Sequence, residues 1–131
     1  MSLRRLYLDI SVHNRPFDDL SQPRVWLEAL AFAAILQMRE SSSVELVNSA
    51  VLEYENSRNP FLDRKTWVSS YLSLAGIYPE LDDSTRIRAQ GLGSQGLASV
   101  DALHLACAEK AGAGYFITCD DRIIKRTERK D

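Results

Sequence analysis

Acidic residues stand singly or in pairs at the ends of several apolar segments of this 131-residue sequence. Asp9 directly follows the first apolar stretch of the chain, and Asp120 and Asp121 follow the stretch YFIT at 115–118. Asp101 lies near the start of the helix that is predicted to precede YFIT. An acidic residue at such a point often does no more than cap a helix, so its chemistry depends on its neighbours in the fold.

The remaining candidates, Glu53 and Glu55, lie on a helix predicted directly after an apolar segment at 44–49. If both apolar segments are strands of one parallel sheet, their carboxyl ends and the starts of the following helices share one edge of that sheet. Asp101 joins the group if its helix begins at the same edge. We therefore expect one cluster of carboxylates at this edge, formed by Asp9, Glu55, Asp101 and Asp120.

Four carboxylates at one place are stable only if some of them stay protonated or if a divalent cation offsets their repulsion. Two carboxylates ~4 Å apart repel each other by about 4 kcal/mol at an effective dielectric constant near 20. Oxygen ligands favour Mg²⁺ or Mn²⁺, whereas a zinc site would draw on Cys and His. A divalent ion held in this way lowers the pKa of a bound water and stabilises the oxygens of an in-line displacement, so the cluster suits phosphodiester hydrolysis.

The elements that must position these residues follow from hydrophobic periodicity and turn signals. Apolar segments predict strands at 3–10, 44–49, 77–81 and 115–118. Helices are predicted at 22–39, 50–58, 61–75, 82–93, 100–113 and 120–129, and 11–23 reads as a loop. Strands alternating with helices predict an α/β fold, a three-layer α/β/α sandwich with a central parallel sheet, and one domain over 1–131.

Helix starts and buried faces follow from the same patterns. Ser49 is expected to lead into the helix at 50–58, and Ser99 is expected to cap the helix at 100–113. Trp26 and Trp67 are expected to be packing residues. The long helix at 22–39 is expected to bury a wide apolar face made of Val25, Leu27, Leu30, Ala31, Ala34, Ile35 and Met38.

Composition sets the class of the protein. The chain is 45% hydrophobic and 26% charged with a net charge of −2, which is typical of an ordinary globular domain. It contains no apolar run of the ~20 residues needed to span a membrane and no pattern of a secretory signal, so a cytoplasmic location is expected. Cys107 and Cys119 are expected to be reduced residues of the core or its margin.

The segments LYLDISV, NSAVLEYENSR and SVDALHLACAEKAGAGYFITCDDRIIKR together resemble the PIN domain family, the fold of many prokaryotic toxin ribonucleases. The resemblance implies a ribonuclease that uses Mg²⁺ or Mn²⁺ and cuts RNA. The family's acids match Asp9, Glu55, Asp101 and Asp120. Glu53 is the alternate to Glu55, and Asp121 could supplement or replace Asp120.

The resemblance also implies roles for neighbouring residues and for partners. Thr118 is expected to orient the Asp120 loop by hydrogen bonding, and Ser11 to do the same beside Asp9. Ile10 stands where many members have Thr, which motivates the alternative of a catalytically inactive PIN-fold module that binds RNA or protein. The expected partners are an RNA substrate, an antitoxin protein and a second copy of the chain as a homodimer, without a membrane.

Several residues near the proposed cluster have two readings. His104 lies one helical turn after Asp101 and is predicted to be a hydrogen-bonded core histidine, with a metal ligand as the alternative. Asn14, in the segment after Asp9, is a candidate for a substrate contact. The side chains of Arg15, Arg58 and Arg122 are each predicted to be solvated, with a phosphate contact as the alternative.

Overall fold

The structure is a computed structural model that describes residues 3–128 of the chain. Within that range a parallel sheet contains β1 Arg4–Leu8, β2 Val44–Val47 and β3 Tyr115–Ile117 in the order β2-β1-β3. The central strand β1 pairs Leu6 with Leu46 on one side and with Tyr115 on the other. The carboxyl end of β1, where Asp9 follows, therefore lies at the centre of one sheet edge.

Helices connect the strands and cover both faces of the sheet. They are α1 Ile10–Asn14, α2 Pro23–Glu40, α3 Ala50–Ser57, α4 Leu62–Leu72, α5 Asp83–Gly93, α6 Ser99–Lys110 and α7 Asp121–Glu128, with a 3₁₀ turn at Arg15–Phe17. The predicted α/β/α sandwich around a parallel sheet is confirmed. No helix within residues 3–128 has both the length and the apolar character that crossing a bilayer would require.

Alternation along β1 separates two hydrophobic cores. Tyr7 is fully buried on the face that packs against α3, α4 and α6, where it meets Leu52 and Cys107. Leu6 and Leu8 point to the opposite face and pack with Phe32 of α2. Because helices cover both faces of a parallel sheet, its strands are apolar on both sides, and a polar side chain on them is exceptional.

Three predictions about the elements are wrong. The segment at 11–23 is not a simple loop, because α1 starts directly after Asp9 and continues into the 3₁₀ turn. The predicted strand at 77–81 is reduced to a single bridge between Ile77 and Val47. Ser99 is the first residue of α6, and the cap position belongs to Ala98 without a side-chain hydrogen bond. Short apolar or polar runs leave such boundaries open, since packing decides them.

The helix start predicted after Ser49 is confirmed, and Ser49 also caps α3, because its hydroxyl accepts a hydrogen bond from the Leu52 amide. The predicted start of the last helix is also confirmed within one residue. Position 129, which was predicted to end that helix, lies outside the described residues.

The buried face predicted for α2 is largely wrong. Val25 and Phe32 are buried and Ile35 is partly buried, but Leu27 is 63% exposed and Leu30 is 47% exposed. The helix is apolar nearly all round, so its periodicity does not show which side packs on the sheet. The two tryptophans predicted to be packing residues are also about half exposed. Six apolar residues on the outer side of α2 form an exposed apolar stripe: Trp26, Leu27, Leu30, Ala31, Ala34 and Met38.

His13 of α1 is a buried ionisable group away from the acidic residues. It is 3% exposed, its ring lies 5.5 Å from that of Phe32 and 6.5 Å from that of Tyr71, and its Nδ1 has no partner among the described residues. Burial lowers the pKa of His13 to about 4, against a hydrogen bond to the Leu8 backbone that raises it. His13 is therefore neutral in the folded protein at neutral pH.

This burial predicts a loss of stability in mild acid. As the pH falls below about 6.5, the unfolded state protonates His13 while the folded state does not, so the free energy of unfolding decreases until the pH passes about 4. The full effect is about 3 kcal/mol. Urea unfolding between neutral pH and pH 4 measures it. His13→Leu should flatten the pH dependence, and an unchanged slope in that variant would contradict the assignment.

Candidate metal centre

Asp9 is a buried carboxylate whose two oxygens have different surroundings. Its residue is 4% exposed, and its Oδ2 accepts hydrogen bonds from Ser11 Oγ at 2.9 Å and Thr118 Oγ1 at 2.8 Å. Its amide donates to the Ile117 carbonyl, which ties Asp9 to the end of β3. The other oxygen, Oδ1, lies 3.9 Å from His104 Nε2. Two hydroxyls thus fix the carboxylate by one oxygen and turn the other toward α6.

The same two hydroxyls also hold the loop between β3 and α7. Ser11 Oγ accepts the Cys119 amide at 3.0 Å, and Thr118 Oγ1 accepts the Asp120 amide at 3.0 Å. The expected roles of Ser11 and Thr118 are confirmed by these bonds. Ile10 lacks the hydroxyl that the resemblance led us to expect at this position. The hydroxyls of Ser11 and Thr118 hold the Asp9 carboxylate instead.

A buried chain of hydrogen bonds through His104, Tyr7 and Ser49 fixes the position of the Glu55 carboxylate. Its Oε1 is hydrogen bonded to His104 Nε2, and His104 Nδ1 lies 2.6 Å from the Tyr7 hydroxyl. The Tyr7 hydroxyl lies 2.7 Å from Ser49 Oγ, which accepts the Leu52 amide. His104 is fully buried, so its prediction as a hydrogen-bonded core histidine is confirmed.

Sequence reasoning did not connect Tyr7 or Ser49 with this site. The available signal was strand alternation, because Tyr7 stands two residues before Asp9 and therefore shares its face of the sheet. That face is the one covered by α6, which carries His104.

This hydrogen-bonded chain has one arrangement of protons that satisfies all four side chains when His104 is neutral and Glu55 is ionised. Ser49 receives the Leu52 N–H and gives its single hydrogen to Tyr7, which gives its own to His104 Nδ1. His104 then carries its proton on Nε2 and donates it to Glu55, a tautomer assigned from the network. Burial raises the pKa of Tyr7, so its hydroxyl keeps the hydrogen that this arrangement requires. In this tautomer His104 orients Glu55 and has no lone pair on Nε2 for a metal.

Ligand atoms of Asp9, Glu55 and His104 all lie within 4.8 Å of one another. Asp101 and Asp120 lie outside this tight group, but they are electrostatically coupled to it. Burial raises the pKa of Asp101, and the charges of Asp9 and Asp120 raise it further. The cluster thus presents carboxylate oxygens with a negative field, and this donor set fits a hard divalent cation.

The model of the PIN domain family matches residues 6–130, nearly the whole chain and a span that includes all the acidic residues considered above. The chain belongs to the PIN domain family. Members of the PIN family are generally nucleases, and PIN nucleases typically use divalent metals. Neither a curated protein nor a solved structure matches the sequence at a significant level.

In this PIN domain the alternates considered for two of the acids are engaged away from the cluster. Glu53 accepts hydrogen bonds from the Tyr78 hydroxyl at 2.8 Å and from Asn48 Nδ2 at 3.3 Å. Asp121 forms a bidentate pair with Arg24, with distances of 2.8 and 2.9 Å. The side chain of neither residue joins the group of candidate ligands in the described part of the chain.

Asp120 caps the last helix of the PIN domain and is coupled to the cluster as well. Its Oδ1 accepts the Arg122 amide at 2.9 Å in the first turn of α7, and its Oδ2 lies 3.3 Å from the Arg122 guanidinium. The capping role and the place at the sheet edge are therefore compatible, because the helix begins where β3 has ended.

Neither thiol of the PIN domain is suited to nucleophilic chemistry. Cys107 is buried in the core between β1 and α6, and burial raises its pKa. Cys119 is partly buried, and its pKa is raised by burial to about 11. Both side chains are protonated at neutral pH, as expected for structural cysteines.

Proposed function

We propose that this PIN domain is a metal-dependent endoribonuclease that hydrolyses RNA phosphodiester bonds. The observation that supports it most directly is the meeting of Asp9 and Glu55, from different segments of the chain, with their orientations fixed by separate hydrogen-bond systems. Mg²⁺ or Mn²⁺ would be held by carboxylates from the set Asp9, Glu55, Asp101 and Asp120.

The chain's own residues have distinct tasks in this proposal. Ser11 and Thr118 keep one oxygen of Asp9 occupied, so that the other faces the cluster. His104 holds Glu55 toward Asp9 without competing for the ion. When bound, the divalent ion lowers the pKa of a water and stabilises the oxygens that attack and leave the phosphorus. Fixed carboxylates place the ion without reorganisation during the reaction.

We further propose that the protein is the toxin of a toxin–antitoxin pair. The support for this role is the family together with the exposed apolar stripe on α2, since contiguous apolar surface of this kind often marks a protein interface. A neighbouring gene that encodes a small DNA-binding protein would support this role, and its consistent absence beside related genes would count against it.

The function is tested with purified protein and end-labelled single-stranded RNA. We expect cleavage in the presence of Mn²⁺ and none after chelation with EDTA, because without the ion nothing offsets the charge of the carboxylates and the phosphate or stabilises the oxygens of the displacement. Calorimetric titration with Mn²⁺ in the absence of RNA gives an independent reading. Failure to bind Mn²⁺ would favour the alternative, an inactive PIN-fold module that binds RNA or protein.

A further inference from the structure

A groove lies beside Glu55 on the side that faces α4, and the candidate metal centre does not use it. It has a volume of about 250 Å³, which is room for one planar ring system rather than for a duplex. Its lining combines an aromatic ring, three amides and two guanidinium groups. These groups belong to Asn14, Asn56, Asn59, Arg58, Phe61 and Arg64, and the Glu55 carboxylate lines the same groove.

Phe61 is an exposed aromatic ring with a fixed position. It occupies the residue before α4 and is 61% exposed. The guanidinium of Arg64 lies over the ring, 5.2 Å from its centroid. Arg64 is itself held by Asp18 at 3.1 Å and by the Phe17 carbonyl at 2.7 Å. One side of the ring is therefore supported, while most of its surface is open to a stacking partner.

Two of the three asparagine side chains in this groove, those of Asn14 and Asn59, are hydrogen bonded to each other. Asn59 Nδ2 donates to Asn14 Oδ1 at 3.2 Å, and Asn14 Nδ2 donates to the Ile10 carbonyl at 2.9 Å. Asn59 Oδ1 accepts the Phe61 amide, which fixes the orientation of its side chain. Each NH₂ group has a second hydrogen that no described residue accepts. Such oriented donors suit the edge of a nucleobase.

Arg58 supplies positive charge next to Glu55. Its guanidinium lies 5.7 Å from the centroid of the Tyr54 ring, and its Nη1 donates to the Tyr54 hydroxyl. Arg15 and Arg122, the other candidates for phosphate contacts, are both engaged by carboxylates of the chain. Among the described residues, no carboxylate pairs with Arg58 in this way. An exposed guanidinium of this kind suits a phosphate.

We propose that this groove binds one unstacked nucleotide of single-stranded RNA beside the scissile phosphate, with its base on Phe61 and its phosphate at Arg58. The proposal rests on the proposed ribonuclease function and adds to it a binding site for one base of the substrate. A base can stack on Phe61 only when it is neither paired nor stacked within an RNA double helix, so double-stranded RNA is excluded from the groove.

The test compares Phe61→Leu with the wild-type protein in binding a fluorescently labelled single-stranded RNA in EDTA. We expect the dissociation constant to rise about tenfold, the lower part of the range for stacking of one base. Trp67→Leu is the matched control, because it removes an exposed aromatic ring of α4 that lies outside the groove. Phe61→Trp should restore the affinity, since it returns an aromatic surface.

A series of RNAs with one abasic residue at each position in turn identifies the base concerned. At that position the wild type and Phe61→Leu should bind with equal affinity, since there is no base to stack. Equal affinity of both proteins for intact RNA, or an equal loss in Trp67→Leu, would overturn the proposal.

Catalytic measurements separate this proposal from the function on which it rests. With Mn²⁺, the loss in Phe61→Leu should appear in KM rather than in kcat, and Mn²⁺ binding should stay as in the wild type. If the wild type neither binds Mn²⁺ nor cuts RNA, the proposed ribonuclease function is wrong. The RNA affinities of the wild type and Phe61→Leu in EDTA then decide the groove proposal by themselves. If RNA is cut but Phe61→Leu has the wild-type KM, the groove fails alone.

Discussion

Asp9→Asn is expected to lower Mn²⁺-dependent cleavage of single-stranded RNA by about 100-fold or more. The change keeps the side-chain volume, and its carbonyl oxygen can still accept the hydrogen bonds of Ser11 and Thr118. It removes the charge that faces the cluster. A metal ion contributes several kcal/mol to the stabilisation of the transition state, and about 1.4 kcal/mol corresponds to tenfold in rate. Single-turnover cleavage and calorimetric titration with Mn²⁺ measure the two losses.

Asp121→Asn provides the matched control for this experiment. It makes the same chemical change at an exposed aspartate that is paired with Arg24 rather than with the cluster. We expect its cleavage rate and its Mn²⁺ affinity to stay close to those of the wild type. Equal activity of Asp9→Asn and wild type would exclude the proposed mechanism, provided that the melting curves of the variants show folded protein.

Glu55→Gln is expected to cause a loss of similar size, about 100-fold in cleavage. The Gln carbonyl can still accept the hydrogen bond of His104 Nε2, so the buried chain through Tyr7 keeps its partners. The loss would therefore reflect the missing charge and not a disturbed core. The measurement is again single-turnover cleavage with Mn²⁺, together with urea unfolding to compare the stability of the variant.

Glu53→Gln tests the specificity of that result. Glu53 lies on the same helix, but it accepts hydrogen bonds from Tyr78 and Asn48 outside the cluster. Its loss of charge should leave cleavage nearly unchanged. A larger defect in Glu53→Gln than in Glu55→Gln would show that the wrong glutamate has been placed at the centre.

The choice between these two glutamates shows where sequence reasoning reaches its limit. Residues two apart on a helix point in directions about 200° apart, so only one of them can face a given neighbour. Which one does so depends on the rotation of α3 on the sheet, and this rotation is set by the packing of Val51 and Leu52. The spacing of the acids left Glu53 as the alternate, whereas the family resemblance selected Glu55, the glutamate that the packing of α3 places beside Asp9.

The parallel sheet could be predicted from apolar segments that alternate with helices, whereas the strand order β2-β1-β3 comes from the structure. The buried side of α2 could not be predicted, because its apolar residues surround the helix and only Val25, Phe32 and their partly buried neighbours meet the sheet. The hydrogen bond of Tyr7 to His104 was also out of reach, since it joins residues 97 positions apart through side-chain geometry. The alternation of side chains along β1 indicated that Tyr7 and Asp9 share a face of the sheet, but it did not indicate that Tyr7 contacts His104.

Alternation along β1 has a further consequence for the protein as a whole. Tyr7 and Asp9 lie on the side of α6, whereas Leu6 and Leu8 lie on the side of α2. Inserting or deleting a single residue within this strand would exchange the two sets. A leucine would then point at His104, and the carboxylate would be trapped among hydrocarbon groups. In the proposed metal centre this change would remove Asp9 from the cluster, so chains with β1 out of register should bind less Mn²⁺ than native chains do.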